Sequence, residues 1–315
     1  MLTALIIGDM HIDVNNVGRY DGISREVEGL PIFRIEKQTF NPGGAANLAM
    51  NVATLGVKTL VMGTWGNRFD IHRAKLQEIF SNARIDTTYM VQHGITPIFG
   101  KYILPMGHHI HRIDLMAKPI EDDVTDHLIT NLKCAMFDVD FIIVADYDEA
   151  GKGIITPKLI YNLQSFSQEK IIFGTSRLRL NMLKEFDYVV MNQNELNNQY
   201  DDISSLLAHI DPSEYAVMTN GAKGASCFSN TGNMDAFPSI SAEGKIDPCG
   251  CGDTFLAVFA TCIAQGRDIE SAINTANAGA RYTAKQLFTT GYPTWDDIDE
   301  QYKIIQQTRH AHQLT

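Results

Sequence analysis

The stretch Asp247-Pro248-Cys249-Gly250-Cys251-Gly252-Asp253-Thr254-Phe255 sets two glycines around a small residue and ends in a carboxylate at the start of an amphipathic segment. Backbone N–H groups in a glycine-rich turn and at a helix N-terminus converge on one spot and favour negative charge there. Amides of Gly250, Cys251 and Gly252 could therefore hold a transferring phosphoryl group while Asp253 takes the proton of an attacking hydroxyl. Two other readings compete. Cys249 and Cys251 could be half of a metal site, but a structural zinc site needs about four ligands and no second pair lies nearby. Asp253 could also do no more than cap a helix, a role in which Asp is favoured.

A second glycine patch, Asn41-Pro42-Gly43-Gly44-Ala45-Ala46-Asn47, also leads into a helical pattern. Gly43 and Gly44 let another molecule approach the backbone, and Asn47 can both donate and accept, which suits a polyol. Asp13, which follows the first apolar run, is placed to accept hydrogen bonds from sugar hydroxyls. His108, His109 and His111 invite a metal reading, but two neutral ligands on one strand face make a poor site; exposed strand residues or a phosphate contact fit better. Lys101 and Arg112 read either as solvated charges or as ligands for a phosphate. No Gly-x-x-x-x-Gly-Lys-Ser/Thr stretch and no strand-linked Gly-x-Gly-x-x-Gly occurs, so a P-loop or dinucleotide fingerprint lacks its defining residues.

These residues need elements to carry them. Apolar runs at 5–8, 59–63, 141–145, 170–173, 188–191 and 216–219 read as strands, with helices between them, including 45–55 and 254–265, each followed by glycine. The rhythm is that of a mostly parallel sheet covered by helices, beyond whose carboxyl strand ends both glycine patches would lie. Residues 10–40 and 95–117 break it with extended alternating runs and a turn at Gly107, and read as a small separate β-sheet serving as a lid.

The chain has 315 residues, 44% of them hydrophobic and 20% charged, and a formal charge of −11. That balance suits one large core and excludes a nonspecific nucleic-acid binder. No apolar stretch approaches the roughly 20 residues that span a bilayer, and the N-terminus reads as a first strand rather than a signal peptide. Five scattered cysteines point to a reducing compartment, here the cytoplasm.

Together, residues 42–56 and 247–255 resemble the two signatures of the ribokinase-like (PfkB) family of carbohydrate kinases, and the likeness runs from about Leu5 to Gly291. It implies a three-layer α/β/α sandwich with a mostly parallel central sheet and a small β-sheet lid, one kinase domain over 1–315, and transfer of the γ-phosphoryl of ATP to a sugar hydroxyl. By the same likeness Asp253 would be the base and Gly250, Cys251 and Gly252 the anion hole. Asp13, Gly43, Gly44 and Asn47 would hold the sugar, with Lys101 and Arg112. Asn192 and Glu195 would support Mg2+ through water. The nucleotide would lie against these two and Thr219, Gly221, Gly224, Asn274 and Asn277. A monovalent cation is expected near Asp247, and a homodimer through the lid. Pro42 to Asn47, Lys101 with Arg112-Ile113-Asp114, and Asp146-Tyr147 before Lys152-Gly153 are similar to the heptose 7-phosphate kinases of the family, which implies a seven-carbon sugar 7-phosphate taken at its anomeric hydroxyl; another sugar is the alternative.

Departures from that pattern also matter. Pro248 and Cys251 stand for Thr and Ala in the loop; Gly174-Thr175-Ser176-Arg177 replaces an Asp-Pro-Lys-Gly; and 148–151 is an insertion. Pro248 removes an N–H and fixes φ. A kinase-like binding protein without catalysis is the reading from a different class. Bifunctional relatives carry a nucleotidyltransferase domain, for which the stretch after Gly291 is too short, so the sequence reads as the kinase half.

Overall fold

The computed structural model describes residues 1–148, 151–166, 168–210, 215–287 and 290–313; Glu149 and Ala150 of the insertion lie outside them. The first strand β1 (Thr3–Gly8) is followed by β2 (Met10–Ile23), β3 (Pro31–Gly44), helix α1 (Ala45–Thr54), β4 (Lys58–Met62), β5 (Thr64–Trp65), α2 (Ile71–Asn82), β6 (Val91–Gln92), β7 (Ile98–Ile103), β8 (His109–Leu115) and α3 (Asp122–Ala135). Then come β9 (Phe141–Asp146), α4 (Pro157–Gln164), β10 (Ile171–Ser176), β11 (Tyr188–Asn192), α5 (Gln193–Asn197), α6 (Ile203–Ile210), β12 (Tyr215–Thr219), β13 (Gly224–Ser229), β14 (Met234–Pro238), α7 (Cys251–Ala264), α8 (Ile269–Ala284) and α9 (Trp295–Gln313).

Among the described residues eight strands form one sheet in the order β14-β13-β12-β11-β10-β9-β1-β4, parallel from β12 to β4 and antiparallel at β13 and β14. Successive side chains of a strand point to opposite faces, so a strand covered on both sides is apolar throughout. In β1, Ala4 and Ile6 join a core with α1, α7 and α8, while Leu5 and Ile7 join a second core with α3 and α4. The result is a layer of helices on each face.

A second sheet, ordered β3-β2-β7-β8, stands at the carboxyl edge of the first. Only Asp9 separates β1 from β2, and β3 runs directly into α1. The two joins are tied together, since the Ala45 N–H donates to the Asp9 carbonyl at 3.0 Å. Alternation, broken by a register shift that skips Glu36 and turns Ile35 outward, sorts this sheet as well: His11, Asp13, Phe99 and Lys101 face a polar cavity, whereas Val14, Ile35, Ile98 and Ile113 line an outer cleft against α2. Gly107 takes a φ of 91° in the turn between β7 and β8.

Candidate active site

Asp253 occupies the first turn of α7, whose N-cap is Gly250 at a φ of 79°. A side chain there would have to adopt a left-handed conformation, with its Cβ 3.0 Å from the Thr290 carbonyl oxygen and 3.1 Å from Asn47 Nδ2. Asp253 does not spend its carboxylate on capping. Its Oδ2 accepts from Asn47 Nδ2 at 2.5 Å, and its Oδ1 accepts from the Tyr147 hydroxyl. Burial raises the Asp253 carboxyl above the usual carboxylate range, against the pull of these two hydrogen bonds and of Arg177.

The polar cavity at this carboxylate measures about 370 Å³. Asp13, Gly43, Gly44, Asn47, Lys101 and Arg112 all line it, together with Asn192, Glu195, Gly250 and Gly252. Gly43 is required by close approach, because a Cβ there would lie 2.2 Å from His11 Nε2. Lys101 Nζ donates to Asp13 Oδ2 at 2.9 Å and stands 3.9 Å from the Cys249 sulfur. Burial alone would lower the Lys101 pKa, but the Asp13 charge and hydrogen bond together with Cys249 outweigh it and hold the ammonium above its ordinary value. His11, 3.6 Å from Asp13, is pushed down to about 4 by burial and is therefore a neutral ring, not half of an ion pair. Arg112 pairs with Asp114 at 2.9 Å and covers the Phe99 ring. Asn47 Oδ1 is buried with no protein partner among the described residues, so a hydroxyl donor from a ligand would satisfy it.

A second cavity of about 160 Å³ adjoins the first, and Pro248 and Gly252 line both. Thr219, Gly221, Gly224 and Asn277 line it, with Ile240, Ile246, Phe255 and Ala280 giving an apolar slot. Asn274 lies one turn of α8 away from Asn277 and is not among the residues lining this cavity. The Cys251 N–H donates to the Pro248 carbonyl at 3.2 Å, and Cys251 lines the second cavity. The turn that Pro248 enters engages this amide; Gly252 and Asp253 hold early helix positions whose N–H groups have no partner within the helix. Burial pushes the Cys251 thiol up to about 12.

Asn192 and Glu195 form a capping box on α5, with Glu195 N–H donating to Asn192 Oδ1 at 2.9 Å and Asn192 N–H to Glu195 Oε2 at 2.8 Å. Among the described residues no group of three or more His, Cys, Asp or Glu is placed to hold a metal ion. One carboxylate with a single oxygen engaged fits Mg2+ carried by phosphates and water, because that ion takes few protein ligands and keeps its waters. His108, His109 and His111 are exposed; His109 borders a small cleft with Asp13 and Lys101, and His111 meets the Tyr20 hydroxyl at 3.4 Å.

Sequence reasoning passed over Tyr147 as a partner of Asp253 and Arg177 as a cavity residue. Both follow the carboxyl ends of parallel strands, β9 and β10, which is where ligands gather in such sheets. Asp9 holds the loop bearing Tyr147: its carboxylate accepts from the N–H groups of Tyr147, Asp148 and Ile154 at 3.1, 3.0 and 2.8 Å.

A family model described as pfkB family carbohydrate kinase matches residues 1–295. Bifunctional protein HldE of Pasteurella multocida is 28% identical over 304 residues, covering 92% of this chain and 61% of that protein. Its counterpart in Nitrobacter winogradskyi is 25% identical over 299 residues, covering 88% and 59%. The chain thus spans about three-fifths of the length of these curated relatives. In fold it is similar to Arabidopsis thaliana ribokinase complexed with ribose and ATP, with a TM-score of 0.72 at 16% identity over 96% of this chain and 99% of that one. It is also similar to Escherichia coli phosphofructokinase-2, with a TM-score of 0.74 at 16% identity over 97% and 100%.

Proposed function

The chain belongs to the pfkB family of carbohydrate kinases, and on that premise we propose that it phosphorylates a seven-carbon sugar 7-phosphate at its anomeric hydroxyl, using ATP. One observation carries the reading. Asp253 is held by Asn47 and Tyr147 in the first turn of α7, at the end of a glycine loop that borders both a polar cavity suited to a polyol and an apolar slot suited to a nucleobase. The acceptor hydroxyl would give its proton to Asp253 as it attacks the γ-phosphorus, with the Gly250 and Gly252 backbone beside the developing charge. Asp13, Asn47 and the Gly43-Gly44 backbone would orient the sugar, and Lys101 and Arg112 would meet its phosphate.

Glu195, fixed by Asn192, would hold Mg2+ through water, an ion that neutralises phosphate charge when bound. A monovalent cation near Asp247, a cytoplasmic location and a homodimer joined through the second sheet complete the proposal. The HldE relatives at 25% and 28% identity support the heptose substrate.

The test is ADP release measured with a panel of heptose 7-phosphate, hexose phosphates, ribose and fructose. The highest kcat/KM is expected with heptose 7-phosphate; a higher value with an unphosphorylated sugar would overturn that substrate. Turnover with none of them would sink the kinase reading itself. Asp253→Asn should keep ligand binding and cut kcat by roughly 10²-fold or more, as loss of a general base does.

A further inference from the structure

We propose that Arg177 is a catalytic residue whose guanidinium contacts the transferring phosphoryl group, opposite the amides of the glycine loop. The assignment rests on the kinase reading above. Arg177 follows directly on β10, and its backbone is anchored: its N–H donates to the Asp146 carbonyl at 3.0 Å and its own carbonyl accepts from Gln199 Nε2 at 3.4 Å. The side chain is exposed in the cavity wall, with the guanidinium carbon 5.1 Å from the centroid of the Tyr147 ring, within cation–π range. Tyr147 in turn donates to Asp253, so a single aromatic side chain positions both the proton acceptor and this cation.

The other two strong cations of the cavity come from the second sheet and pair with carboxylates of that sheet, Lys101 with Asp13 and Arg112 with Asp114. Arg177 comes instead from the main sheet and shares the cavity wall with Asp253 on the acceptor side and with Asn192 and Glu195 on the nucleotide side. Its charge lowers the pKa of both Asp253 and Glu195, which places it within electrostatic reach of the two ends of the reaction. During transfer the acceptor oxygen bonds to the γ-phosphorus as the bond from that phosphorus to the β–γ bridging oxygen breaks. The hydroxyl proton goes to Asp253, and the electron pair of the broken bond leaves on ADP. Charge spreads over the equatorial oxygens meanwhile, and a planar guanidinium with several donors matches two of them at once.

Arg177→Ala and Arg177→Lys in the full chain test this. The alanine variant should lose roughly 10²- to 10³-fold in kcat, the range seen when a donor to a transition-state oxyanion is removed, while KM for the sugar stays near wild type. Lysine should recover part of the loss, and added guanidinium ion should recover part of it in the alanine variant. A readout that needs no sugar is thermal stabilisation by ADP with aluminium fluoride over ADP alone; Arg177→Ala should lose that increment and keep the ADP shift, which also reports that it is folded. An active wild type whose alanine variant keeps both kcat and the increment overturns the proposal alone, as does a loss confined to the KM for the sugar. A wild type that binds no adenine nucleotide and turns over no sugar removes the kinase reading, and this proposal with it.

Discussion

At Asp253 two forces oppose each other: burial favours the neutral acid, while the Tyr147 hydroxyl and the Asn47 amide favour the carboxylate. Burial prevails, so the carboxyl titrates above the ordinary 3.8. Activity that needs the ionised base is present above that raised pKa and is lost as pH falls through it; kcat against pH should show this acid limb. Tyr147→Phe removes a bond that lowers the pKa, so the limb should move to higher pH and kcat should fall roughly 10-fold, the cost of one hydrogen bond to a charged group. A limb that stays in place would free Tyr147 of that role. Cys251→Ala should leave kcat unchanged, because the thiol is half-buried and neutral and belongs to no group of three or more His, Cys, Asp or Glu among the described residues that could hold a metal ion. Asp253, Asn47 and the glycines were legible because their chemistry is local to short motifs. The Tyr147 bond was not, since it joins positions 106 apart in sequence.

Turns and caps set the accuracy at the next scale. Gly250 was legible as a loop glycine, but its left-handed φ and the Thr290 carbonyl that leaves no room for a Cβ there belong to the assembled fold. Gly250→Ala should lower the unfolding free energy by roughly 1–2 kcal/mol, measured by urea denaturation, and should depress activity by shifting the Asp253 turn. Asp9→Ala should destabilise the protein too, by roughly 1–3 kcal/mol, since it releases the N–H groups of Tyr147, Asp148 and Ile154 at once. The six parallel strands could be read from continuous apolar runs, a pattern that double-sided burial enforces. The hairpin of β13 and β14 could not: Gly224, Ser226, Asp235 and Pro238 dilute its pattern, and β14 is largely exposed at the sheet edge.

Across the whole molecule the outer face of the second sheet leaves Tyr20, Ile35 and Ile113 between 46% and 60% exposed, more apolar surface than a strand face normally shows to water. Sedimentation should find a dimer, and Ile35→Lys with Ile113→Lys should yield a monomer; an unchanged sedimentation coefficient would place the contact elsewhere. The second sheet was legible as alternating runs, but the register shift that turns Ile35 outward was not, nor was its junction with the main sheet, because nothing in the local pattern marks a strand that leaves one sheet for another. That junction has a mechanical consequence. The arm made by the 14 residues of β2 is about 45 Å long at ~3.3 Å per residue, and it joins the main body at Asp9 and Gly44. A tilt of about 10° there would sweep the far tip through roughly 8 Å yet carry Asp13, four residues from the fulcrum, only about 2 Å. On the proposed reading, leverage of this kind would let the arm swing aside for ligand exchange while the Asp13 carboxylate stays almost where it is.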